Sequence, residues 1–393
     1  MEELMFEMNP WWEEPPKEEG IFRERYLEVL EKNLNNKEII FITGLRRVGK
    51  STLLKQFIFR LIKEKNTNPT RIMYLSLDAY LFKDNSIHEL VKEFRKIHNI
   101  KIDEKIYLFF DEVVYKKDFN QELKNLYDLE NVKIYASSSS ASLLKDKKAF
   151  LTGRTRTIEI DPLDFQEFLL FKNYSAKKSE KYILEKYFEE YMEYGGMPEY
   201  VLTKDPNYIT SLVDSIIYKD IIALHNLKNS SVIKDLFKLL CERVGKQVSY
   251  NKIANVLGIH KDSIKDYINY FVESYLFYLI EKDAKSLNER IKDNKKIYCS
   301  DVGIKNVTTG FRDLGATYEN LVFLTIRKEQ PRYLKKNGIE IDFKTKDILI
   351  EAKYKREMDK KQKALFDSIK IKNKIIASGF DFFKPYLRDV YED

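Results

Sequence analysis

Between residues 20 and 160 the chain alternates short apolar runs with longer stretches in which apolar residues recur at helical spacing. The runs are rich in Ile, Phe and Tyr, and polar residues bound them. They read "EIIFITG" (38–44), "RIMYLSLD" (71–78), "KIYLFFDE" (105–112) and "VKIYASSS" (132–139). This pattern is typical of a parallel sheet that is buried on both faces by its crossover helices. We therefore predict an α/β core over residues 1–162.

The hydrophobic pattern changes after Pro162 and predicts three further domains. Residues 163–240 have mainly helical spacing, and we predict a helical lid subdomain there. Within residues 241–288, two amphipathic stretches flank a turn at Gly258, which indicates a winged-helix-like module. Residues 289–393 combine the helical stretch "TYENLVFLTI" with the short strands "RYLKK", "EIDFKT" and "ILIEAKY", which predicts a separate α/β domain.

Composition and charge narrow the class of protein without naming a partner. The chain has 393 residues, of which 44% are apolar, enough for a large core and several domains. Its net charge of +7 is a small excess that does not by itself indicate a polyanionic ligand. Cys241 and Cys299 form neither a disulfide framework nor a metal-binding spacing. Because no apolar leader or bilayer-length apolar stretch is found, we expect a soluble cytoplasmic protein without a membrane partner.

One motif indicates a specific chemistry. Residues 44–51, Gly-Leu-Arg-Arg-Val-Gly-Lys-Ser, match the phosphate-loop pattern G-x-x-x-x-G-K-[ST] at every fixed position, between a predicted strand and a predicted helix. The two glycines let successive backbone N–H groups approach phosphate oxygens. Lys50 would reach the β- and γ-phosphates of ATP, and the Ser51 hydroxyl would ligate Mg²⁺. The predicted nucleotide-binding residues are Gly44, Leu45, Arg46, Arg47, Val48, Gly49, Lys50, Ser51 and Thr52.

Four further residues are candidates for catalysis next to this loop. The strand "KIYLFFDE" ends in Asp111 and Glu112, so Asp111 would hold Mg²⁺ through water and Glu112 would polarise the attacking water. A pair of solvated carboxylates at a strand end is the alternative. Ser139, at the end of the next strand, could sense the γ-phosphate or belong to an ordinary serine-rich turn. Arg154 could stabilise the transferring phosphoryl group, from its own chain or from a neighbouring subunit, or be an ordinary exposed arginine.

Several short motifs together suggest a family. The stretches "NPWW", "GLRRVGKST", "LFFDE", "SSSASLL", "GRTRTIEIDPLDFQEFL" and "YGGMPEYV" resemble the archaeal and bacterial AAA+-type ATPases that pair a P-loop core with a C-terminal nuclease-like domain of uncharacterised role. The resemblance covers nearly the whole chain. One departure is the segment 113–115, Val-Val-Tyr, where these ATPases usually carry Ile-Gln after the Glu. Trp11 and Trp12 could pack on the nucleotide base or clamp the N-terminus to the core.

A second group of charged residues is predicted in the C-terminal domain. Glu351 and Lys353 share one face of a strand, and a tight turn would bring Asp342 alongside them. With Glu319 on the preceding helix, this pattern looks like that of a PD-(D/E)xK nuclease of the restriction-endonuclease-like fold. Asp342 and Glu351 would then bind Mg²⁺, and Lys353 would orient or stabilise the nucleophile. Alternating charges on a solvated hairpin are the alternative.

Two features bear on nucleic acid as a partner. Residues 335–374 contain 13 Lys or Arg and 7 Asp or Glu, and the difference, +6, would suit a phosphate backbone or simply be solvated. Lys261 and Lys265 lie one turn apart on the second helix of the predicted winged helix, which could enter a DNA groove or serve for packing. We favour packing, because no Arg or Asn is concentrated at the start of that helix.

Three functions are compatible with these motifs. The one we adopt is an ATP-hydrolysing AAA+-type motor or switch whose nucleotide state moves the helical and C-terminal domains. The second is an ATP-regulated, Mg²⁺-dependent DNA or RNA nuclease. The third is a nucleotide-binding signalling or scaffold switch with little hydrolysis. A homo-oligomer is compatible with all three.

Overall fold

The structure, a computed structural model, describes residues 1–139, 151–174, 181–284 and 286–387. The chain divides into two units, Met1–Asp161 and Pro162–Asp393, and each unit has a hydrophobic core of its own. Most of the stretch "SSSASLL" lies outside the described residues, although Ser139 at its start is among them.

A parallel five-stranded sheet forms the centre of the first unit. Its strand order is β2-β3-β4-β1-β5, and every neighbouring pair runs parallel. This is the P-loop NTPase fold, and it confirms the predicted α/β class. The strands are β1 (Ile39–Thr43), β2 (Ile72–Ser76), β3 (Ile106–Asp111), β4 (Val132–Ser138) and β5 (Thr155–Glu159). The helices are α1 (Glu2–Met8), α2 (Glu24–Lys32), α3 (Lys50–Lys63), α4 (Ile87–Ile97) and α5 (Phe119–Leu129).

Helices cover both faces of this sheet, as the continuous apolar runs predict. Strands β1 and β4 are buried along their whole length. On one face, Phe41 and Phe110 belong to the core that α4 and α5 close. On the other face, Tyr135 stacks on Phe109 with ring centroids 5.0 Å apart, and Phe57 of α3 meets its edge at 5.2 Å. Because parallel strands with covered faces end at a common edge, their carboxyl ends gather polar residues at one place.

The N-terminal tryptophans clamp the start of the chain to the edge strand β2. Trp11 and Trp12 both donate their indole N–H to the Ile72 carbonyl, at 3.3 and 2.8 Å. Asn9 accepts the Tyr74 amide at 2.6 Å and donates to the Tyr74 carbonyl at 2.9 Å. Strand β2 stands three strand positions from β1, or about 14 Å. The structure therefore corrects the alternative in which the tryptophans pack on a nucleotide base beside the loop after β1.

The second unit, Pro162–Asp393, begins with helices and continues as mixed α/β structure. Its helices are α6 (Phe165–Phe171), α7 (Lys181–Tyr194), α8 (Pro198–Thr203), α9 (Pro206–Ser215), α10 (Ala223–His225), α11 (Ser230–Cys241), α12 (Tyr250–Leu257), α13 (Lys261–Glu273), α14 (Leu287–Lys292), α15 (Val302–Thr309), α16 (Leu314–Ile326) and α17 (Lys360–Ser368). A π-helical segment, Ile216–Ile222, joins α9 to α10.

Two small sheets complete the second unit. The first is antiparallel, with the order β6-β8-β7, and the second has the order β12-β11-β10-β9, with only β11 and β12 parallel. The strands are β6 (Gln247–Val248), β7 (Phe277–Ile280), β8 (Lys295–Cys299), β9 (Arg332–Lys336), β10 (Ile339–Lys344), β11 (Ile348–Ala352) and β12 (Asn373–Ala377).

One hydrophobic core joins the helices after Pro162 to the C-terminal strands. Phe168 of α6 and Phe188 of α7 lie in the same buried cluster as Tyr318 of α16 and Phe343 of β10. The helices predicted as a lid subdomain therefore share buried side chains with the predicted C-terminal domain. The finer division at residues 163–240, 241–288 and 289–393 stays a prediction.

The paired glycines of "YGGMPEY" serve close packing within the second unit. A Cβ on Gly196 would lie 2.1 Å from the Leu163 carbonyl oxygen. The Leu163 amide donates to the Gly196 carbonyl at 2.7 Å, and the Gly196 amide donates to the buried Asp301 carboxylate at 2.5 Å. Any larger residue at 196 would separate the two chain segments, so the motif is explained by packing.

Helices α12 and α13 flank the turn at Gly258, and the winged-helix-like module predicted there stays a prediction. Lys261 and Lys265 are exposed on α13, and so are Asp262 and Asp266, each of which directly follows one of the lysines. The opposite charges compensate one another on this surface, which favours the packing role over entry into a DNA groove. In the part of the chain that the structure describes, no helix has both the length and the apolar character needed to cross a membrane.

Candidate functional site

The loop between β1 and α3 has a backbone that only glycine allows at its first position. Gly44 has φ of 139°, and a Cβ there would lie 2.2 Å from the Ile160 carbonyl oxygen. Arg47 and Gly49 also have positive φ, 63° and 96°. Alternating left-handed residues of this kind turn successive backbone N–H groups toward one centre, which makes an anion-binding concavity. Glycine is needed at position 44 because a Cβ there would clash with the Ile160 carbonyl, and it is favoured at position 49 because the backbone there is left-handed.

Lys50 begins α3 and lies under the loop. Its ammonium donates to the carbonyls of Gly44 and Leu45, both at 3.0 Å, and the residue is 5% exposed. Ser51 in the next position is exposed, and the helix start adds its partial positive charge to the same place. Of the other predicted loop residues, Leu45 and Val48 are buried, Arg46 and Thr52 are half-buried, and Arg47 is exposed.

Asp111 is the last residue of β3, which pairs with β4. Two hydroxyl groups orient its carboxylate. Tyr74 of β2 donates to Oδ2 at 2.9 Å, and Ser137 of β4 donates to Oδ1. Burial and the Asp111 charge raise the pKa of Tyr74 well above its ordinary value, so the phenol stays a donor. A carboxylate has about four lone-pair sites. Asp111 therefore keeps acceptor capacity for a hydrated cation while its orientation is fixed.

Glu112 follows in a left-handed conformation, with φ of 51°, which turns its side chain away from the strand direction. Its amide donates to the Ser137 hydroxyl at 2.9 Å, and its carboxylate accepts the Ser139 amide and hydroxyl, both at 3.2 Å. Desolvation raises the pKa of the Glu112 carboxyl, Asp111 adds to the rise, and the Lys50 ammonium opposes it. Ser139 thus lies in the same site as Glu112 and contacts it directly; its predicted sensing of a γ-phosphate stays a prediction.

Arg154 lies away from the phosphate loop of its own chain. Its carbonyl accepts the Ile39 amide at the start of β1, whereas the loop begins after Thr43 at the other end of that strand. Four residues of strand separate the two places by about 13 Å. The guanidinium instead pairs with Asp128 at 3.1 Å. The structure therefore does not bring Arg154 together with the other predicted catalytic residues.

Arg23 is a member of this site that sequence reasoning missed. It is 4% exposed, and it donates to the Val48 carbonyl at 3.0 Å and to the Asp161 carbonyl at 2.9 Å. Its guanidinium also lies over the Tyr26 ring, 4.7 Å from the centroid, and the Tyr26 hydroxyl accepts the Asp161 amide. Arg23 precedes an amphipathic helix, where a single arginine carries no signal, so only the tertiary contacts identify it.

The four residues predicted in the C-terminal domain do come together. The Asp342 amide donates to Glu351 Oε2 at 3.1 Å, and the Ala352 amide donates to Asp342 Oδ2 at 3.0 Å. Lys353 lies 2.8 Å from Glu351 Oε1. The pairing of β9 and β10 shifts register between Ile341 and Lys344, and such an irregularity re-aims side chains. The alternative interpretation, alternating charges on a solvated hairpin, is therefore wrong, because Glu351 is fully buried and Asp342 is 8% exposed.

A lysine that the sequence did not single out lies among these carboxylates. Lys296 of β8 is 2.7 Å from Glu319 and 3.2 Å from Asp342, and Tyr298 donates to Glu319 at 2.7 Å. Burial raises the pKa of Glu319 to about 7, with Asp342 adding to the rise and Lys296 opposing it. Burial together with Asp342 raises the pKa of Glu351 to about 8. Among the described residues, no group of three His, Cys, Asp or Glu side chains is arranged to hold a metal ion.

The fold and the loop geometry define a P-loop protein. In agreement, a family model described as an AAA domain matches residues 36–169. The chain belongs to the family of the uncharacterized protein MJ1544 of Methanocaldococcus jannaschii. The two are 32% identical over 398 residues, an alignment that covers 92% of this chain and 86% of that protein.

Other comparisons describe the chain without assigning a role to its second unit. An uncharacterized protein of Haemophilus influenzae is 29% identical over 323 residues, covering 78% of each chain. A second family model, described as a domain of unknown function, matches residues 185–315, so the predicted restriction-endonuclease-like domain is not confirmed. A Walker-type ATPase of Pyrococcus abyssi is similar in structure with a TM-score of 0.44 and 16% identity, over 75% of this chain and 97% of that one.

Proposed function

We propose that the protein binds and hydrolyses ATP with Mg²⁺ at the loop between β1 and α3. The observation that carries this proposal is a geometric one. The phosphate-loop backbone, the Lys50 ammonium and the carboxylates of Asp111 and Glu112 gather at the carboxyl edge of one parallel sheet. Ligands of open α/β sheets bind at that edge.

Each residue has a role that follows from its contacts. The loop amides and Lys50 bind the phosphate oxygens, and the ammonium exchanges its hydrogen bonds to the Gly44 and Leu45 carbonyls for bonds to phosphate. The exposed Ser51 hydroxyl contacts the magnesium of the substrate directly, and Asp111 contacts it through water. Magnesium supplies charge neutralisation of the phosphates. The hydroxyl groups of Tyr74 and Ser137 fix the Asp111 carboxylate for this task.

Glu112 orients the attacking water and accepts its proton. Its raised pKa supports this role, because a general base works best when its pKa approaches the working pH. Its present hydrogen bonds to the Ser139 amide and hydroxyl hold the carboxylate at the end of β4. Arg154 pairs with Asp128 at the far end of the sheet, so any contribution to phosphoryl transfer comes from a neighbouring copy of the chain.

We also propose that nucleotide binding is transmitted to the junction with the second unit. Asp161 is the last residue of the first unit, and the phosphate loop holds the segment that leads to it. The Ile160 amide donates to the Thr43 carbonyl at 2.7 Å, and Arg23 joins the Val48 and Asp161 carbonyls. A change in the loop at Val48 therefore acts on the segment before the junction through the Arg23 guanidinium, alongside the backbone hydrogen bond of Ile160.

The proposed activity is tested by Lys50→Ala. We expect this variant to bind MgATP at least about tenfold more weakly, because charged hydrogen bonds contribute about 1.5–3 kcal/mol each. Its phosphate release should fall to background. Lys63→Ala, at the exposed last turn of the same helix, is the matched control and should behave as the wild type. Wild-type protein that binds ATP tightly without releasing phosphate would contradict hydrolysis and favour the signalling or scaffold alternative.

A further inference from the structure

Lys296 is a buried cation surrounded by three carboxylates. It lies on β8, and its side chain is 1% exposed. Its ammonium is 2.7 Å from Glu319 Oε1, 2.9 Å from Glu340 Oε1 and 3.2 Å from Asp342 Oδ1. An ammonium has three N–H donors. The number of donors therefore equals the number of carboxylate partners, which come from α16 and from β10.

The second oxygen of Asp342 and both oxygens of Glu351 also accept hydrogen bonds from donors within the protein. Asp342 Oδ2 accepts the Ala352 amide at 3.0 Å, and Glu351 Oε2 accepts the Asp342 amide at 3.1 Å. Glu351 Oε1 accepts from Lys353 at 2.8 Å and from the Gln362 amide group at 2.5 Å. Both oxygens of Asp342 and both oxygens of Glu351, the two expected metal ligands, thus have donors within the protein.

Such a centre does not fit the Mg²⁺ that the nuclease-like sequence pattern implies at Asp342 and Glu351. Magnesium requires oxygen ligands at about 2.0–2.1 Å in octahedral geometry and usually keeps several waters. The Lys296 ammonium stands at hydrogen-bonding distance from Asp342 Oδ1 and compensates its charge. Glu351, the second expected ligand, is fully buried and holds Lys353 and Gln362 on one oxygen.

We propose that the Lys296 ammonium is the resident cation of this centre and takes the place of a divalent metal. The centre then acts as a fixed ion cluster that fastens β8 to α16 and β10, rather than as a Mg²⁺-dependent site for phosphodiester cleavage. Removal of the ammonium would leave the clustered carboxylates without their cation, and breaking a buried ion pair in this way is strongly destabilising.

The first test is Mn²⁺ binding to the full-length, nucleotide-free protein. Binding is measured as the decrease of the electron paramagnetic resonance signal of free Mn²⁺. We expect the wild type and Asp342→Asn to give the same binding isotherm. Wild-type binding of Mn²⁺ that Asp342→Asn abolishes would overturn the proposal. Plasmid nicking that depends on both Mn²⁺ and Asp342 would overturn it as well.

The second test replaces the cation itself. Lys296→Gln leaves three carboxylates facing one another, so we expect its melting temperature to fall by about 10 °C and to recover partly with Mn²⁺. Lys295→Gln is the matched control, since the neighbouring Lys295 pairs with Glu281 at 3.4 Å and is partly exposed. A Lys296→Gln protein that melts like the wild type and ignores Mn²⁺ would overturn the proposal. If that variant does not fold, the first test still decides, because it needs no change at Lys296.

Discussion

The two units each contain a centre made of Asp, Glu and Lys, and the partners of the carboxylates distinguish them. Beside the phosphate loop, the side-chain and backbone donors described for Asp111 and Glu112 are hydroxyl groups and a backbone amide, while the Lys50 ammonium acts on Glu112 through its charge. In the second unit, Asp342 and Glu351 are met by the ammonium groups of Lys296 and Lys353. Neutral donors orient a carboxylate and leave its charge uncompensated. An ammonium group orients the carboxylate and also compensates its charge.

This difference gives a physical criterion for telling a candidate active centre from a structural one with the same residues. A carboxylate that must meet a cation or a proton during a reaction needs an orientation and a remaining charge. Hydroxyl donors fix the orientation of the carboxylate and preserve its negative charge. A salt bridge to a buried lysine such as Lys296 compensates the charge and makes the carboxylate a support of the fold, and the support weakens when the lysine is removed.

The largest effect expected from this comparison is on turnover. Glu112→Gln keeps the shape of the side chain and removes the general base, so we expect phosphate release to fall about 10²- to 10⁴-fold while MgATP still binds. Glu351→Gln is the matched change in the other centre and should leave turnover unchanged. The comparison fails if Glu351→Gln lowers turnover as much as Glu112→Gln does.

Sequence patterns grouped Lys50, Asp111 and Glu112 in one predicted centre because these residues lie at or after strand ends, and their catalytic roles stay predictions. Gly44, Gly49 and Lys50 lie in one contiguous motif, and Asp111 and Glu112 directly follow an apolar run. A parallel sheet brings such strand ends to a common edge without further information. Arg23 escaped prediction because it reaches the loop from a separate helix, 25 residues before Val48 in the chain.

The second centre was predicted only in part, for a similar reason. Asp342 and Glu351 belong to neighbouring strands of one hairpin, so their approach follows from the turn. Lys296 comes from another sheet, 46 residues before Asp342, and no spacing rule connects them. A local signal did exist, since the strand "KKIYC" places Lys296 directly before its apolar residues. Glu340 shares a strand face with Asp342 and could have been named from alternation alone.

A smaller effect is expected from replacing Arg23, which links the phosphate loop to the segment that leads to the junction of the two units. Arg23→Met removes the two hydrogen bonds to the Val48 and Asp161 carbonyls. We expect the KM for ATP to rise about tenfold, because hydrogen bonds from a charged group contribute about 1.5–3 kcal/mol. The proposed coupling also predicts that ATP changes the rate of protease cleavage at the junction in the wild type, and this change should be lost in Arg23→Met. Arg71→Met, which breaks a partly exposed pair with Glu104, is the control.

Equal KM values for Arg23→Met and the wild type would show that the loop holds its shape without the guanidinium. A raised KM with an unchanged ATP effect on cleavage would separate the two roles, since Arg23 would then support the loop without transmitting its state. The result sharpens the comparison of the two units, because a junction signal is expected from the phosphate-loop centre and not from the ion cluster.

The smallest effect is on the pH dependence of stability, and it comes from the second centre. The pKa of Glu351 is raised from 4.5 to about 8, chiefly by burial. Between these values the folded protein keeps a proton that the unfolded chain has lost. The stabilising contribution of this group is therefore complete below about pH 4.5 and is lost as the pH rises through about 8, with a slope of at most about 1.4 kcal/mol per pH unit.

Glu351→Gln tests this sign, because glutamine cannot ionise. Any fixed cost of the substitution is the same at every pH, so the informative quantity is the melting temperature of the variant minus that of the wild type. We expect this difference to increase from pH 5 to pH 8, whereas Glu357→Gln, an exposed neighbour, should give a constant difference. Parallel profiles for Glu351→Gln and the wild type would mean that the Glu351 carboxyl ionises as it does in the unfolded chain. The Glu351 carboxyl would then lack the burial penalty that the ion cluster is expected to impose on it.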